Sequence, residues 1–158
     1  MGKKIWIVDM DGTYALCEHR LRHILDGEAD WDAFYAEMDK DVVNEPLAKI
    51  LRLIIASGDE VAFWTGRPEK YRPQTENWLK HALPYKAPYT LRMRATGDDR
   101  SDANVKMDFY NDLMGRKYDV VAVFEDRPSV IRMWRSMDIT VFMNVHSQVN
   151  EQLANPGF

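Results

Sequence analysis

The chain has 158 residues, of which 46% are hydrophobic and 29% are charged, and its formal net charge is −4. This composition is too apolar for a disordered protein, and a globule of this length buries roughly 70% of its unfolded surface. Because affinity for nucleic acid normally depends on Lys and Arg, the negative net charge means that any site for a polyanion must be local.

Targeting and redox signals are few. No apolar run approaches the roughly 20 residues that a membrane-spanning helix needs, and residues 1–8 lack the pattern of a signal peptide. Cys17 is the only cysteine, which excludes an intramolecular disulfide and a metal cluster built on cysteines. We therefore expect a cytoplasmic protein that does not bind membranes.

Apolar, β-branched runs predict five strands, and residues at helical spacing between them predict four helices. The strands are expected at 3–8, 60–64, 90–93, 120–124 and 139–143, and the helices at 47–55, 71–83, 105–114 and 129–137. Nearly continuous apolar strands are typical of sheets covered on both faces. The alternation predicts an α/β fold, with a parallel sheet and helices on both of its faces.

The segment 14–45 interrupts this alternation. It is rich in charged and aromatic residues, and it contains no run that resembles a strand. It follows the first strand at the edge of the sheet where α/β proteins bind ligands. We expect a single domain over 1–158, in which 14–45 forms a small helical cap above a site.

Two carboxylates follow the first predicted strand in the sequence DMDGT, namely Asp9 and Asp11. Alternation along the extended chain places them on the same side, where together they attract a cation. A solvated acidic turn closed by Gly12 is the structural alternative for an isolated motif of this kind.

A hydroxyl, a glycine and a guanidinium follow the second strand, in the order Thr65, Gly66 and Arg67. All three suit a phosphate, since Arg offers two parallel donors and Gly allows close approach of the backbone. Glycine is also common in the turn that ends a strand, which is the alternative interpretation.

Two further charged elements follow. Lys106 is predicted near the start of a helix, where the helix dipole also favours an anion, although a lone Lys is usually solvated. Glu125 and Asp126 end the fourth strand, where two buried carboxylates need a cation or an arginine. An ion pair with Arg127 is the structural alternative to a metal.

In chain order, DMDGT, WTGR, a lone Lys and FEDRP resemble the four motifs of the haloacid-dehalogenase phosphatases. The resemblance implies a three-layer Rossmann-like fold and a Mg²⁺-dependent phosphatase with a covalent intermediate on Asp9. It implies that Asp11 is the general acid and base, and that Thr65 and Lys106 bind the phosphoryl group. The implied metal ligands are Asp9, the Asp11 carbonyl and Asp126.

Two longer stretches, GDDRSDANVK and EDRPSVIRMWR, resemble the phosphatase domain of phage polynucleotide kinase/phosphatases. This closer resemblance implies a nucleic-acid end carrying a 3′-phosphate as substrate. It also implies a set of substrate-binding residues, which are Arg20, Gly66, Arg67, Arg100 and Asp102. Glu125, where this closer family has Asp, is expected to bind the metal directly or through water, or to orient Lys106. The phosphate loop of a kinase, G-x-x-x-x-G-K-[ST], does not occur in these 158 residues.

Two other functions compete with this one. A 5′-nucleotidase or other small-molecule phosphatase would use the same core, with Trp31, Phe34 or Tyr35 of the cap stacking on a base. These aromatic residues also suit the interior of the cap. A binding module with an inactive site is the third possibility, against which the complete set of motif residues argues.

Overall fold

The computed structural model describes residues 2–83, 88–116 and 118–144. A five-stranded parallel sheet forms its centre, in the order β5-β4-β1-β6-β7. These strands are β1 (Lys3–Val8), β4 (Glu60–Pro68), β5 (Tyr89–Arg94), β6 (Tyr118–Glu125) and β7 (Val141–Met143). The sheet confirms the predicted α/β class, although β7 is shorter than the predicted strand at 139–143.

Four helices connect these strands and cover both faces of the sheet. They are α3 (Glu45–Ala56), α4 (Arg72–Ala82), α5 (Asp102–Met114) and α6 (Pro128–Ser136). Helices α3 and α4 pack on the face that contains Val8 and Phe63, whereas α5 and α6 pack on the face of Ile7 and Trp64. Strand alternation thus divides the core into two layers, which gives the predicted three-layer arrangement.

The segment 14–45 contains two short helices, α1 (Arg22–Leu25) and α2 (Trp31–Ala36), and two 3₁₀ turns, Glu18–Arg20 and Met38–Lys40. Two strands, β2 (Ala15–Leu16) and β3 (Val42–Val43), pair antiparallel at its base. The expectation of no strand in this segment was therefore wrong. Each strand has two residues, too short for the alternation of apolar and polar residues to be recognisable.

The sheet order places β1 between β4 and β6. In an open parallel sheet, ligands bind beyond the carboxyl ends of the strands where the strand order reverses. The carboxyl ends of these three strands carry Asp9, the segment 65–67 and Glu125.

Within the described ranges, no helix is both long and apolar enough to cross a membrane.

Candidate active site

Three buried carboxylates form an acidic centre, defined here as Asp9, Glu125 and Asp126. Because Val8 pairs with Phe124, Asp9 lies beside Glu125, and its backbone N–H donates to the Phe124 carbonyl at 3.0 Å. One carboxylate oxygen from each of the three residues lies within 4.8 Å of the other two. Burial and the charge of Glu125 raise the pKa of Asp9 well above its usual value. These hard oxygen donors fit a divalent cation, which would offset their repulsion.

Lys106 lies against this acidic centre and is itself buried. Its Nζ donates to Asp9 Oδ1 at 2.5 Å and to Glu125 Oε2 at 2.6 Å. Although burial alone lowers the pKa of Lys106, these two carboxylates raise it above its usual value, so the ammonium stays charged. Helix α5 begins at Asp102, more than one turn before Lys106. The predicted helix start at residue 105 was therefore three residues late, which places Lys106 beyond the first turn, and the ion pairs hold this side chain.

The loop after β1 lies against Asp126. Thr13 donates its hydroxyl to Asp126 Oδ1 at 3.1 Å, and burial together with Glu125 raises the pKa of Asp126 to about 7. Gly12 has a positive φ of 85°, and a Cβ there would lie 2.3 Å from Asp126 Oδ2. Only glycine fits this position without displacing the carboxylate.

Glu125 is the least available member of the acidic centre. Its Oε1 accepts backbone N–H groups from Asp126 at 3.2 Å and Arg127 at 3.1 Å, while its Oε2 accepts from Lys106. Both oxygens thus already have protein partners. These contacts favour the expectation that Glu125 orients Lys106, rather than the direct metal ligation that was the alternative.

Asp11 belongs to a second group of charges, which we call the arginine–aspartate cluster: Asp11, Arg20, Asp41 and Arg67. Arg67 donates to the Asp11 carboxylate at 2.6 and 3.0 Å, and Arg20 donates to it as well. Both guanidinium groups also donate to Asp41. Although burial alone raises it, Arg67 and Arg20 hold the pKa of Asp11 well below its usual value. Two positive and two negative charges balance.

The position of Arg20 and Arg67 differs from the expectation of an outer substrate site. Both side chains are fully buried, and they lie directly beside Asp11. Arg20 comes from the cap and Arg67 from β4, so the cluster joins the cap to the core. Both arginines already donate to Asp11. They can therefore bind a phosphate only if it replaces Asp11 as their hydrogen-bond partner.

Thr65, Gly66 and Arg67 belong to β4, which extends to Pro68. The predicted end of this strand at residue 64 was therefore wrong, and so was the alternative that these residues form only a turn after it. Pairing with β5 shifts register between Thr65 and Pro68, which turns this part of the strand toward the site. The buried Thr65 hydroxyl accepts the N–H of Arg67 at 3.2 Å. A Cβ on Gly66 would lie 2.6 Å from Asp102 Oδ1, so glycine leaves room for that carboxylate.

Asp102 and Arg100, the remaining predicted substrate residues, have different environments. Asp102 pairs with Arg94 and, at 3.0 Å, with Arg127. Arg127 therefore does not supply the ion pair expected for Glu125 and Asp126; only its backbone N–H reaches Glu125. Arg100 is exposed, and its guanidinium pairs with Asp98 at 2.8 Å. The predicted residues thus fall into a buried group around Asp9 and a second group at the rim.

A cavity of about 630 Å³ opens above these groups. It is lined by Asp9, Asp11, Thr65 and Asp126, which we call its floor, by residues of the cap and by the loop that precedes α5. A volume of this size is typical of a site for a small organic ligand. The cavity, the acidic centre and the buried lysine together form a site suited to phosphoryl transfer.

Asp41, Arg94 and Thr13 also contribute to the site, although the sequence motifs did not point to them. Asp41 lies in a charged stretch, DKD, and Arg94 lies in the stretch LRMR, and residues of both kinds are usually solvated. Thr13 is part of DMDGT. Its position two residues after Asp11 was the one signal in the sequence that pointed to a role in the site.

This sheet order, with the acidic centre after β1 and β6 and a lysine from α5, defines a haloacid-dehalogenase hydrolase, and the comparisons agree. A class C acid phosphatase from Bacillus anthracis has the same fold at a TM-score of 0.66 and 12% identity, covering 91% of this chain and 68% of that one. More specifically, the chain belongs to the family described as the polynucleotide kinase PNKP phosphatase domain, whose model matches residues 3–150. It is a phosphatase of this family.

Two relatives are more similar. A putative bifunctional polynucleotide kinase/RNA ligase from Autographa californica nuclear polyhedrosis virus is 33% identical over 139 residues, which are 88% of this chain and 19% of the viral protein. A chain of the Pnkp1/Rnl/Hen1 RNA repair complex superposes with a TM-score of 0.72 at 30% identity, covering 90% of this chain and 42% of that one. The chain thus spans less than half the length of either relative.

Proposed function

We propose that this phosphatase removes the 3′-phosphate from nucleic-acid ends, in a Mg²⁺-dependent reaction through an aspartyl-phosphate on Asp9. The observation that carries this proposal is the convergence of Asp9, Lys106 and Asp126 at the floor of one cavity. Within the proposal, residues 1–158 act as a single cytoplasmic domain, and 14–45 form its cap.

The covalent step follows from the position of Asp9. Its carboxylate attacks phosphorus, the bond from phosphorus to the leaving oxygen breaks, and that oxygen takes a proton from Asp11. In the second step Asp11 removes a proton from water, which attacks the aspartyl-phosphate and releases inorganic phosphate. Lys106, which donates to Asp9 at 2.5 Å, offsets negative charge on the nucleophile and on the phosphoryl oxygens.

Asp9, Asp126 and the Asp11 carbonyl would hold Mg²⁺, because this ion prefers a few oxygen ligands and keeps several waters. When bound, the ion supplies positive charge that reduces repulsion between the carboxylates and an anionic substrate. Glu125 assists by holding Lys106 at 2.6 Å. Thr65 presents its hydroxyl to the same cavity for a phosphoryl oxygen.

Asp11 needs a proton to act as an acid, whereas Arg20 and Arg67 keep it ionised before substrate binds. A phosphate is also a bidentate partner for these guanidinium groups. When they turn to the phosphate, their charge no longer offsets the burial of Asp11, which then raises its pKa above the usual value, so that Asp11 takes up a proton from water before it donates one to the leaving oxygen. Substrate binding itself then prepares the acid.

The nucleic-acid substrate is supported by the family and by the two relatives, which are described as a polynucleotide kinase/RNA ligase and as part of an RNA repair complex. Three arginines at the rim, Arg94, Arg100 and Arg127, would bind a nucleic-acid backbone where phosphates replace Asp98 and Asp102 as their ion-pair partners. The second candidate is a nucleotidase, which the cavity volume of about 630 Å³ favours because it suits a single nucleotide.

One assay separates these functions. Phosphate release is measured from a 3′-phosphorylated oligonucleotide, from a 5′-phosphorylated oligonucleotide of the same sequence and from free nucleotides, with Mg²⁺ and with EDTA. We expect the highest kcat/KM for the 3′-phosphorylated end and no release in EDTA. Preference for free nucleotides would instead establish the nucleotidase, and activity in EDTA would contradict the metal requirement.

A further inference from the structure

One wall of the cavity is apolar and belongs mainly to the cap. The rest of the lining is mostly charged or polar, so two parts of the cavity differ in chemistry. The members of this apolar wall are Leu21, Ile24, Trp31, Phe34, Tyr35 and Pro68. An apolar surface does not stabilise a bound phosphate. It suits an uncharged and flat part of a ligand.

The aromatic residues of this wall differ in their exposure. Phe34 is 4% exposed and lies beneath the Arg20 guanidinium at 4.0 Å, so it belongs to the interior of the cap. Trp31 is 43% exposed, at the first position of α2. An indole that lines a cavity while so much of it stays in solvent is available to a ligand. The structure thus separates one interior ring from one accessible ring.

Trp31 is also held in place. Its ring stacks on Tyr35 with centroids 6.2 Å apart and planes inclined by 28°, and its edge contacts Phe34 at 5.7 Å. Tyr35 in turn contacts Tyr71 of the core at 5.0 Å. Tyr71 donates its hydroxyl to Asp32 of α2 at 2.6 Å. These contacts fix the two stacked rings, Trp31 and Tyr35, to the core, and we call this pair the platform. Because the platform is held in place, stacking a ligand on it costs less entropy.

Tyr35 joins this platform to the floor of the cavity. Burial raises the pKa of Tyr35, and the charges of Asp11 and Asp102 raise it further, so the hydroxyl is uncharged at neutral pH. The ring contacts Trp31, and the hydroxyl lies within electrostatic range of Asp11 and Asp102. Trp31 and the floor line the same cavity, so one ligand can contact both.

We propose that Trp31 and Tyr35 form a stacking site for the nucleobase of the nucleotide that carries the scissile phosphate. The inference rests on the proposed function, and it adds that the enzyme binds the terminal base as well as the phosphate. Every nucleobase has a π face, so stacking of this kind tolerates any sequence. The charged part of the lining, with Arg94 and Arg127, accommodates the sugar and phosphate.

The test compares two 3′-phosphorylated oligonucleotides that differ only in the terminal residue, which carries a base or is an abasic tetrahydrofuran. Stacking on one aromatic residue corresponds to roughly a 5- to 150-fold effect on binding. We expect wild-type kcat/KM to favour the base-bearing end by a factor in this range. Trp31→Ala should lose this preference through a fall in kcat/KM for the base-bearing end, and Trp31→Phe should retain most of it.

Leu53→Ala is the matched control, since Leu53 is 72% exposed on α3 and does not line the cavity. It should behave as the wild type with both substrates. Equal kcat/KM of the wild type for the two ends would overturn the inference. An equal loss by Trp31→Ala on both ends would do so as well, since it would indicate a general effect on the cap.

Binding measurements keep this inference separate from the proposed function. In an Asp9→Asn background, fluorescence anisotropy gives Kd for both oligonucleotides without turnover. If the wild type hydrolyses neither 3′-phosphorylated end but Kd still favours the base and Trp31→Ala removes that preference, the stacking site stands and the 3′-phosphatase proposal fails. If hydrolysis occurs and Kd is the same for both ends, the stacking site is wrong and the proposed function remains.

Discussion

Asp41→Asn tests whether the arginine–aspartate cluster stabilises the fold. The Asp41 side chain is fully buried and accepts hydrogen bonds from Arg20 at 2.7 Å, through both Nε and Nη2, and from Arg67 Nη2 at 2.8 Å. The substitution is nearly isosteric, but it replaces a charge with an amide whose NH₂ group faces N–H donors. It leaves two buried guanidinium groups with one carboxylate, that of Asp11.

Removing one partner from a buried ion pair costs roughly 3–5 kcal/mol. With a urea slope of about 2 kcal/mol per M, the unfolding midpoint should fall by ~1.5–2.5 M. The measurement is urea unfolding followed by circular dichroism at neutral pH. Asp32→Asn is the control, because Asp32 forms an exposed pair with Lys70. A midpoint shift for Asp41→Asn no larger than that of the control would refute the stabilising role of the cluster.

Three other substitutions test the chemistry. Asp9→Asn should abolish phosphate release while circular dichroism stays unchanged, because the amide cannot attack phosphorus; turnover of a generic aryl phosphate would contradict this. Lys106→Ala should reduce kcat by ~100-fold or more, since it removes a charged donor to Asp9, and a rate near wild type would indicate a purely structural lysine. Gly12→Ala should raise the Mg²⁺ concentration needed for half-maximal activity, because its Cβ would lie 2.3 Å from Asp126 Oδ2. Gly27→Ala is its control, since Gly27 also has positive φ but no atom within 4 Å of such a Cβ, and equal effects of the two would exclude the contact.

The sheet and the acidic centre could be predicted because they depend on local patterns. Buried parallel strands appear as apolar runs, and the residues that follow them must meet at one edge of the sheet. This reasoning brought Asp9, Glu125 and Asp126 to one place, whereas Lys106, which lies on α5, was added by the resemblance of the motifs. The resemblance of the motifs added the class of enzyme, which the family comparison confirmed.

Pairing between distant charges could not be predicted in the same way. Asp41 lies 30 residues after Asp11. Its hydrogen bonds with Arg20 and Arg67 form only in the folded protein, so no local pattern in the sequence indicates them. The burial of Arg20 and Arg67 is equally hidden, since a guanidinium is usually exposed and only a balanced cluster makes its burial acceptable. The longer β4, which includes Thr65, results from pairing with β5, a contact between distant segments of the chain.

The base of the cap has a consequence for how such enzymes change their range of ligands. Strands β2 and β3 join the two ends of the insertion, Asn44 donates to the Thr13 carbonyl at 2.9 Å, and Arg20 and Asp41 bind the core beside Asp11. Residues 21–40 add further contacts, since the Phe34 carbonyl accepts from Arg20 and Asp32 accepts from Tyr71 of the core. The exposed stretch 26–28 between α1 and α2 lies outside these contacts. It should therefore be exchangeable for a loop of another length or composition, so that a new ligand shape is acquired while the reacting groups keep their positions.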